Sequence, residues 1–288
     1  MEKVYKIVPI KSCNLKEFKS ENLNHKVLYK NLLDDIKLFE NIDDKNIKIY
    51  SLFGVDFLVV SSNTKEEVDS IELKSYDIYE EGFSYYCYFK AMVDDNNGIS
   101  KILRSSETLN IDGSNSYISH DLKFVISEKG FYLSSCFLEN KEDKNAFGRF
   151  LLLYLLALSY NRKAEEFLQK VSSAYKNDNF DEMVKIRDEI YYFDLNYYFY
   201  NPVYQYRHQA YSIWNLISKN YDVKIKHDEI KSQIIEFTNV IEIKNREIEQ
   251  EKEKIAKENE DKKSDKRNLI LTSIGLLIAF FTFLTAFN

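Results

Sequence analysis

The chain has none of the short motifs that announce catalysis. GxGxxG, a P-loop Gly-Lys-Ser/Thr, HExxH and CxxC are all missing, which removes the dinucleotide, phosphate-loop, zinc-protease and redox readings. No nucleophile, base and orienter can be grouped, so no enzymatic activity is expected. Cysteine is scarce. Cys13, Cys87 and Cys136 are too few and too scattered for a disulfide framework or a metal knuckle, and they read as buried thiols of a reducing compartment. Basic excess is also lacking: the formal charge is −6, which argues against nucleic acid as the main partner because phosphate binding needs a basic surface. The first residues, MEKVYKIVPIK, hold no apolar h-region, so no signal peptide is expected. Only seven glycines and two prolines occur beside abundant Lys, Asn, Ile and Tyr. That composition hints at an AT-rich genome and excludes no activity.

What is present is apolar material, 44% of 288 residues, enough to bury a core in one or two domains. Residues 1–140 read as a mixed α/β domain. Val4–Ile10 is a strand, and Leu15–Phe39 a helix through Leu28, Leu32, Leu33, Ile36 and Phe39. Ile47–Val60 and Phe124–Phe137 each read as two strands around a turn, at Gly54 and at Glu128-Lys129-Gly130. Tyr85–Val93 is a further strand. Asn96-Asn97-Gly98 and Asp112-Gly113-Ser114 punctuate as turns.

From about Lys144 the period is helical. Residues 141–222 form a helical region in which Phe147–Ala157 is a core helix, because Arg149 keeps the uncharged run too short for a bilayer. Phe180–Phe193 follows, then an aromatic cluster (YYFDLNYYFYNPVYQY) bent at Asn201-Pro202, then a helix over Tyr204–Tyr221. Within Tyr191–Tyr206 the rings read as helix-packing core rather than a cage or base-stacking platform.

Residues 223–267 are a charged stalk. Ile230, Ile234, Phe237, Ile241, Ile248 and Ile255 alternate four- and three-residue steps, a coiled-coil seam. Asn268–Phe287 (NLILTSIGLLIAFFTFLTAF) carries no charge. At ~1.5 Å per residue it covers the ~30 Å hydrocarbon core once, and Lys262, Lys263, Lys266 and Arg267 just before it place the preceding domain in the cytoplasm. A single-pass protein of the cytoplasmic membrane is expected. Inside that run Asn268, Thr272, Gly275, Ala279, Thr282 and Ala286 step by four and three as a small-residue face, in phase with the stalk seam. One parallel homo-oligomeric bundle through stalk and span follows, with those six residues as its oligomer or pore face. The fold class expected is therefore an α+β cytoplasmic domain, an all-α region, a long coiled-coil stalk and one C-terminal transmembrane helix.

Other polar groups give less. His25, His120, His208 and His227 are far apart, and Asp34-Asp35, Asp43-Asp44 and Asp94-Asp95 sit in helix ends or turns. Solvation is the default for such pairs, with Asp94-Asp95 beside Asn96-Asn97 as the one candidate for a hard cation. No cofactor is identified.

The order of elements, with Tyr197–Trp214 (YYFYNPVYQYRHQAYSIW) before a charged stalk and an apolar terminus, resembles the CorA family of divalent-cation channels. That resemblance implies a cytoplasmic α/β domain, a helix running unbroken into the membrane, a homo-oligomeric funnel, and magnesium or another divalent cation as the transported or sensed ion. The family's Gly-Met-Asn signature is represented only by Asn288, after Ala286-Phe287, and the second span is missing. Asn288 is the single metal-contacting residue the resemblance implies. The rival expectation is a tail-anchored sensor or effector, as in bacterial defence. Its α/β domain recognises a ligand or partner, and its oligomerising anchor signals to or perturbs the membrane.

Overall fold

Both faces of the first strand, β1 (Lys3–Ser12), are apolar. Side chains alternate across a strand, so Tyr5 and Ile7 join one core while Val4, Val8 and Ile10 join cores on the opposite face. A strand buried on both sides belongs in the middle of a sheet, and β1 lies there. In this computed structural model residues 2–286 are described, except 13–14, 24–25, 72, 74–75, 80–83, 92–94, 137–140 and 178; side chains of 12, 141, 143 and 280–286 are also outside the description.

The other strands are β2 (Phe18–Glu21), β3 (Ile36–Asn41), β4 (Ile47–Leu52), β5 (Val55–Ser62), β6 (Asp77–Ile78), β7 (Tyr85–Ala91), β8 (Ser116–Ile118), β9 (Leu122–Ser127) and β10 (Gly130–Ser135). They form one mixed sheet in the order β2-β3-β4-β5-β1-β7-β10-β9-β8, with β6 added beside β1. Only β7 and β10 pair in parallel; the other pairings are antiparallel. Register sorts the two faces. Tyr5, Cys87, Phe131 and Ile126 lie side by side across four strands and feed one core, while Val4, Tyr88, Tyr132 and Val125 form the neighbouring row and feed the other.

Two glycines make the hairpins possible. Phe53 and Gly54 both have positive φ (55° and 81°) between β4 and β5, the signature of a tight hairpin turn. Gly130 opens β10 at φ 144°, and a Cβ there would stand 1.8 Å from the Tyr86 carbonyl oxygen. Only glycine permits that approach.

Helices cover both faces. On one side lie the short α2 (Lys65–Ser70) and α3 (Asn96–Arg104). On the other, α4 (Lys141–Lys176) packs against β4, β5, α5 (Phe180–Asn196) and α6 (His208–Asn220). Residues 150–160 of α4 are all buried, as expected of a helix covered all round. Phe147 stacks on Tyr5 at 4.5 Å between centroids. Trp214 of α6 is fully buried, and its indole N–H donates to the Tyr200 carbonyl at 2.8 Å. One core thus joins residues of β1, β5, β7, β9, β10, α4 and α6. The last helix, α7 (Val223–Ala286), begins in the first compact unit, Met1–Gln233; the second unit is Ile234–Asn288.

Several expectations are corrected. No helix among the described residues is long and apolar enough to cross a membrane, so the fold class with a transmembrane helix does not stand. A ten-stranded mixed sheet followed by helices takes its place. The described side chains of the apolar run end at Ala279. The rest of that run, including Thr282 and Ala286, and the final Asn288 lie outside the described side chains.

The helix read over Leu15–Phe39 is a short 3-10 turn (Leu15–Glu17), β2, the five-residue α1 (Lys30–Asp34) and β3. Leu28 and Leu32 do meet one core, but Ile36 and Leu38 pair with Leu52 and Tyr50 of β4, and the sheet edge overrides the four-residue spacing. Asn96-Asn97-Gly98 is not a turn but the first turn of α3, capped by the Asp95 carboxylate accepting from the Asn97 and Gly98 N–H groups. Asp112 does make the expected turn, accepting from the Ser114 N–H at 2.7 Å. Cys87 is buried, but Cys136 is exposed; Cys13 lies outside the described residues.

Candidate ligand-binding cleft

Leu158, Asn161, Arg162, Glu165 and Gln169 follow one another along α4 at steps of three, one, three and four, which puts them on one helix face. That face forms one wall of a cleft of about 1150 Å³ inside the first unit. The opposite wall arises where β1 changes partner. Lys3–Ile7 pairs with β7, Ile10–Ser12 pairs with β6, and Pro9, which has no N–H to donate, sits between. Tyr79, Ser84 and Tyr85 flank this gap, and Pro9, Lys11 and Phe57 line its side. Tyr86, Tyr88, Leu103 and Ser105 extend the lining toward α3, and Glu128-Lys129 of the β9–β10 turn closes one end. The Gly130 contact fixes that turn, since the Tyr86 N–H donates to the Lys129 carbonyl at 2.9 Å. Tyr221, after α6, and Lys226, in the first turns of α7, complete the enclosure.

The chemistry is mixed in a particular way. Five cations (Lys11, Lys65, Lys129, Arg162, Lys226) face two carboxylates, Glu128 and Glu165, within a chain of net charge −6. Both carboxylates are engaged: Glu128 with Arg104 at 2.6 Å, Glu165 with Arg162 at 3.7 Å and Lys226 at 3.5 Å. Five tyrosines supply ring surface. The Arg162 guanidinium lies 3.8 Å from the Tyr79 ring centre, with the Lys11 ammonium 5.5 Å from the same ring, and Lys65 stands 4.7 Å from the Tyr86 ring. Cations over ring faces are attracted by the ring quadrupole.

Burial pushes up the pKa of four of these phenols, Tyr85, Tyr86, Tyr88 and Tyr221. Tyr85 is pushed up by burial and by the Glu165 charge, against an opposing effect of Arg162. Tyr86 is pushed up by burial and by its hydrogen bond to Asp69, 2.6 Å away. Tyr88 is pushed up to about 12, chiefly by burial. Tyr221 is pushed well above its ordinary value by burial. None of them is primed as a base near neutrality.

One buried polar atom is left over. Asn161 is 8% exposed. Its Nδ2 donates to the Tyr221 carbonyl at 2.8 Å, while its Oδ1 is buried without a hydrogen-bond partner. An unmet acceptor costs about 1–3 kcal/mol, so the floor of the cleft is set up to receive a donor.

None of the stalk-seam, small-residue-face or candidate metal positions read from the sequence is among the residues lining this cleft. In the stalk seam, Ile230, Ile234, Phe237 and Ile241 are buried in a single chain, whereas Ile248 and Ile255 are exposed. Of the small-residue face, Asn268, Thr272, Gly275 and Ala279 are exposed, and the Thr272 hydroxyl donates back to the Asn268 carbonyl at 2.8 Å. Around them Leu269, Ile270, Leu271, Ile274, Leu276, Leu277 and Ile278 are also exposed. No cluster of three or more His, Cys, Asp or Glu side chains able to hold a metal occurs among the described residues. His25 and Asp94 lie outside them, and Asp95 is spent as a helix cap. His227 stacks on Tyr198 with ring centroids 3.4 Å apart and bonds Asp194. In the aromatic cluster, Tyr197, Tyr198 and Phe199 pack on the main core, while Tyr192, Tyr200 and Tyr206 are exposed.

The cleft was hidden because its residues run from Pro9 to Lys226 in sequence. The stretch of α4 that supplies Asn161, Arg162, Glu165 and Gln169 is polar on its other faces as well, so it gave no distinct signal. No family model, curated protein or solved structure matches the chain.

Proposed function

We propose that the chain is a ligand sensor: its globular unit takes up an anionic ligand in the cleft, and α7 carries the signal outward. The observation behind this reading is that α7 itself contributes a cation to the cleft wall. Lys226 and the junction residue Tyr221 line it together with Lys65, Lys129 and Arg162. An anion that draws these cations together changes the forces on the first turns of α7 directly. Of the two expectations raised by the sequence, ligand recognition therefore has a built site behind it. No feature of the described residues supports cation transport of the CorA kind, and Asn288 lies outside them.

The output surface is the exposed aliphatic end of α7. Seven large aliphatic residues exposed within ten positions form a surface that water does not favour. They follow Lys262, Lys263, Lys266 and Arg267. Basic residues beside an apolar helical face suit a lipid surface with anionic headgroups. Self-association through the exposed seam residues Ile248 and Ile255 is part of the same proposal.

Calorimetric titration of the full chain with inorganic triphosphate tests the receptor half. Binding that weakens at least tenfold in a Lys65→Glu/Lys129→Glu variant is expected. Absence of binding, or affinity unchanged in the variant, would remove the cleft from the account. Flotation with vesicles containing phosphatidylglycerol tests the output half, and a chain that stays at the bottom of the gradient rejects lipid as the partner.

A further inference from the structure

We propose that the ligand of the cleft is a nucleoside phosphate, a reading that rests on the anion-receptor proposal above and narrows it. A bare phosphate or polyphosphate explains only half of the lining. Lys11, Lys65 and Lys129 face the cleft, whose carboxylates are paired with Arg104, Arg162 and Lys226 instead, and they suit phosphate oxygens. Phosphate oxygens, however, only accept hydrogen bonds, and the buried Asn161 Oδ1 needs a donor. The amide cannot turn to present its NH₂ instead, because Nδ2 is held by the Tyr221 carbonyl at 2.8 Å. The ligand therefore carries N–H or O–H groups as well as anionic oxygens.

Ring surface points the same way. The Arg162 guanidinium already stands over the Tyr79 ring at 3.8 Å, and a pair of that kind is extended by a planar base, which binds to aromatic and guanidinium faces. A purine or pyrimidine brings both the π-face and the exocyclic or ring N–H, and its ribose phosphates reach the lysines. Size agrees: about 1150 Å³ exceeds the ~300–1,000 Å³ usual for small-molecule sites, ample for a base, a sugar and several phosphates and far more than one phosphate ion fills.

The test is a binding panel on the full chain: ATP, GTP, CTP, UTP, inorganic triphosphate, and an unstructured ten-nucleotide RNA. At least one nucleoside triphosphate is expected to bind tenfold or more tightly than inorganic triphosphate. Tyr79→Leu, its fold checked by near-UV circular dichroism, is expected to erase that margin while leaving triphosphate affinity unchanged. Equal affinity for triphosphate and all four nucleotides overturns the nucleoside assignment and leaves the anion receptor standing. An unchanged margin in Tyr79→Leu overturns it too. An RNA that outcompetes every mononucleotide assigns the site to polymer and overturns the free-nucleotide reading. No binding by any member of the panel takes down the anion receptor as well.

Discussion

The Tyr154 hydroxyl, on α4, donates to the Tyr221 hydroxyl, at the junction of α6 and α7. Direction follows from what each oxygen has left: Tyr221 also faces the Ser127 and Glu128 carbonyls, at 3.2 and 3.1 Å, and must donate to them, so it accepts from Tyr154. Three parts of the cleft frame are thereby tied at one point: the α4 wall, the β9–β10 turn and the start of α7.

The two phenols are therefore unequal. Tyr221→Phe strands the fully buried Tyr154 hydroxyl and frees the turn carbonyls, and is expected to cost about 1–3 kcal/mol. Tyr154→Phe leaves Tyr221 still bonded to the turn and is expected to cost about 0.5–1.5 kcal/mol. Urea unfolding of both variants gives the order, and a larger loss for Tyr154→Phe would reverse the assigned donor.

Gly130 and Gly54 separate close approach from backbone strain. Alanine at Gly130 puts a methyl 1.8 Å from the Tyr86 carbonyl oxygen, whereas at Gly54 the nearest atom is 3.8 Å away, the flexible end of Lys163, at φ 81°. Gly130→Ala is expected to cost more than 4 kcal/mol or prevent folding, as large effects do. Gly54→Ala is expected to cost about 1 kcal/mol, that of a non-glycine residue in the left-handed region. Expression yield and thermal unfolding of the pair read the difference.

Alkaline pH should destabilise the fold through its buried phenols. Burial pushes Tyr5, Tyr88 and Tyr132 each up to about 12 from an ordinary 10.0. Their folded-state pKa is raised, so the stability they contribute is present below pH ~10 and is lost as pH rises through 12, where the unfolded chain binds fewer protons. Stability measured by urea at pH 8 to 11.5 is expected to fall above pH 10. Phenylalanine at all three positions should flatten that fall.

Hairpin strands and long helices were legible in the sequence for a local reason. Gly54 and Gly130 mark turns, the first by its positive φ and the second by a close backbone approach, and the 3.6-residue period of α4, α5 and α6 is set by one buried face or more. Leu15–Phe39 was misread because its fate is decided by distant chain: Leu38 needs Tyr50 of β4 beside it. The apolar run after Arg267 was legible as apolar but not as a span. The cleft was almost invisible, since Tyr79, Lys129, Arg162 and Lys226 meet only after the sheet and α4 have packed, and no spacing in sequence encodes that meeting.

The seam of α7 splits along its length. Ile230 is 6% exposed and Ile255 is 52% exposed. Ile230→Ala is expected to cost about 2–5 kcal/mol in unfolding of the monomeric chain. Ile255→Ala should stay within about 0.5 kcal/mol, yet weaken self-association seen by sedimentation. Equal effects on unfolding would place both positions in the same environment, against the structure.

The central claim is that occupancy of the cleft is felt at the beginning of α7. Amide hydrogen exchange over residues 223–233, measured with and without saturating inorganic triphosphate, addresses it most directly. The account predicts several-fold slower exchange in those turns when the anion is bound, lost in Lys226→Ala. Triphosphate binding accompanied by unchanged exchange there would contradict it.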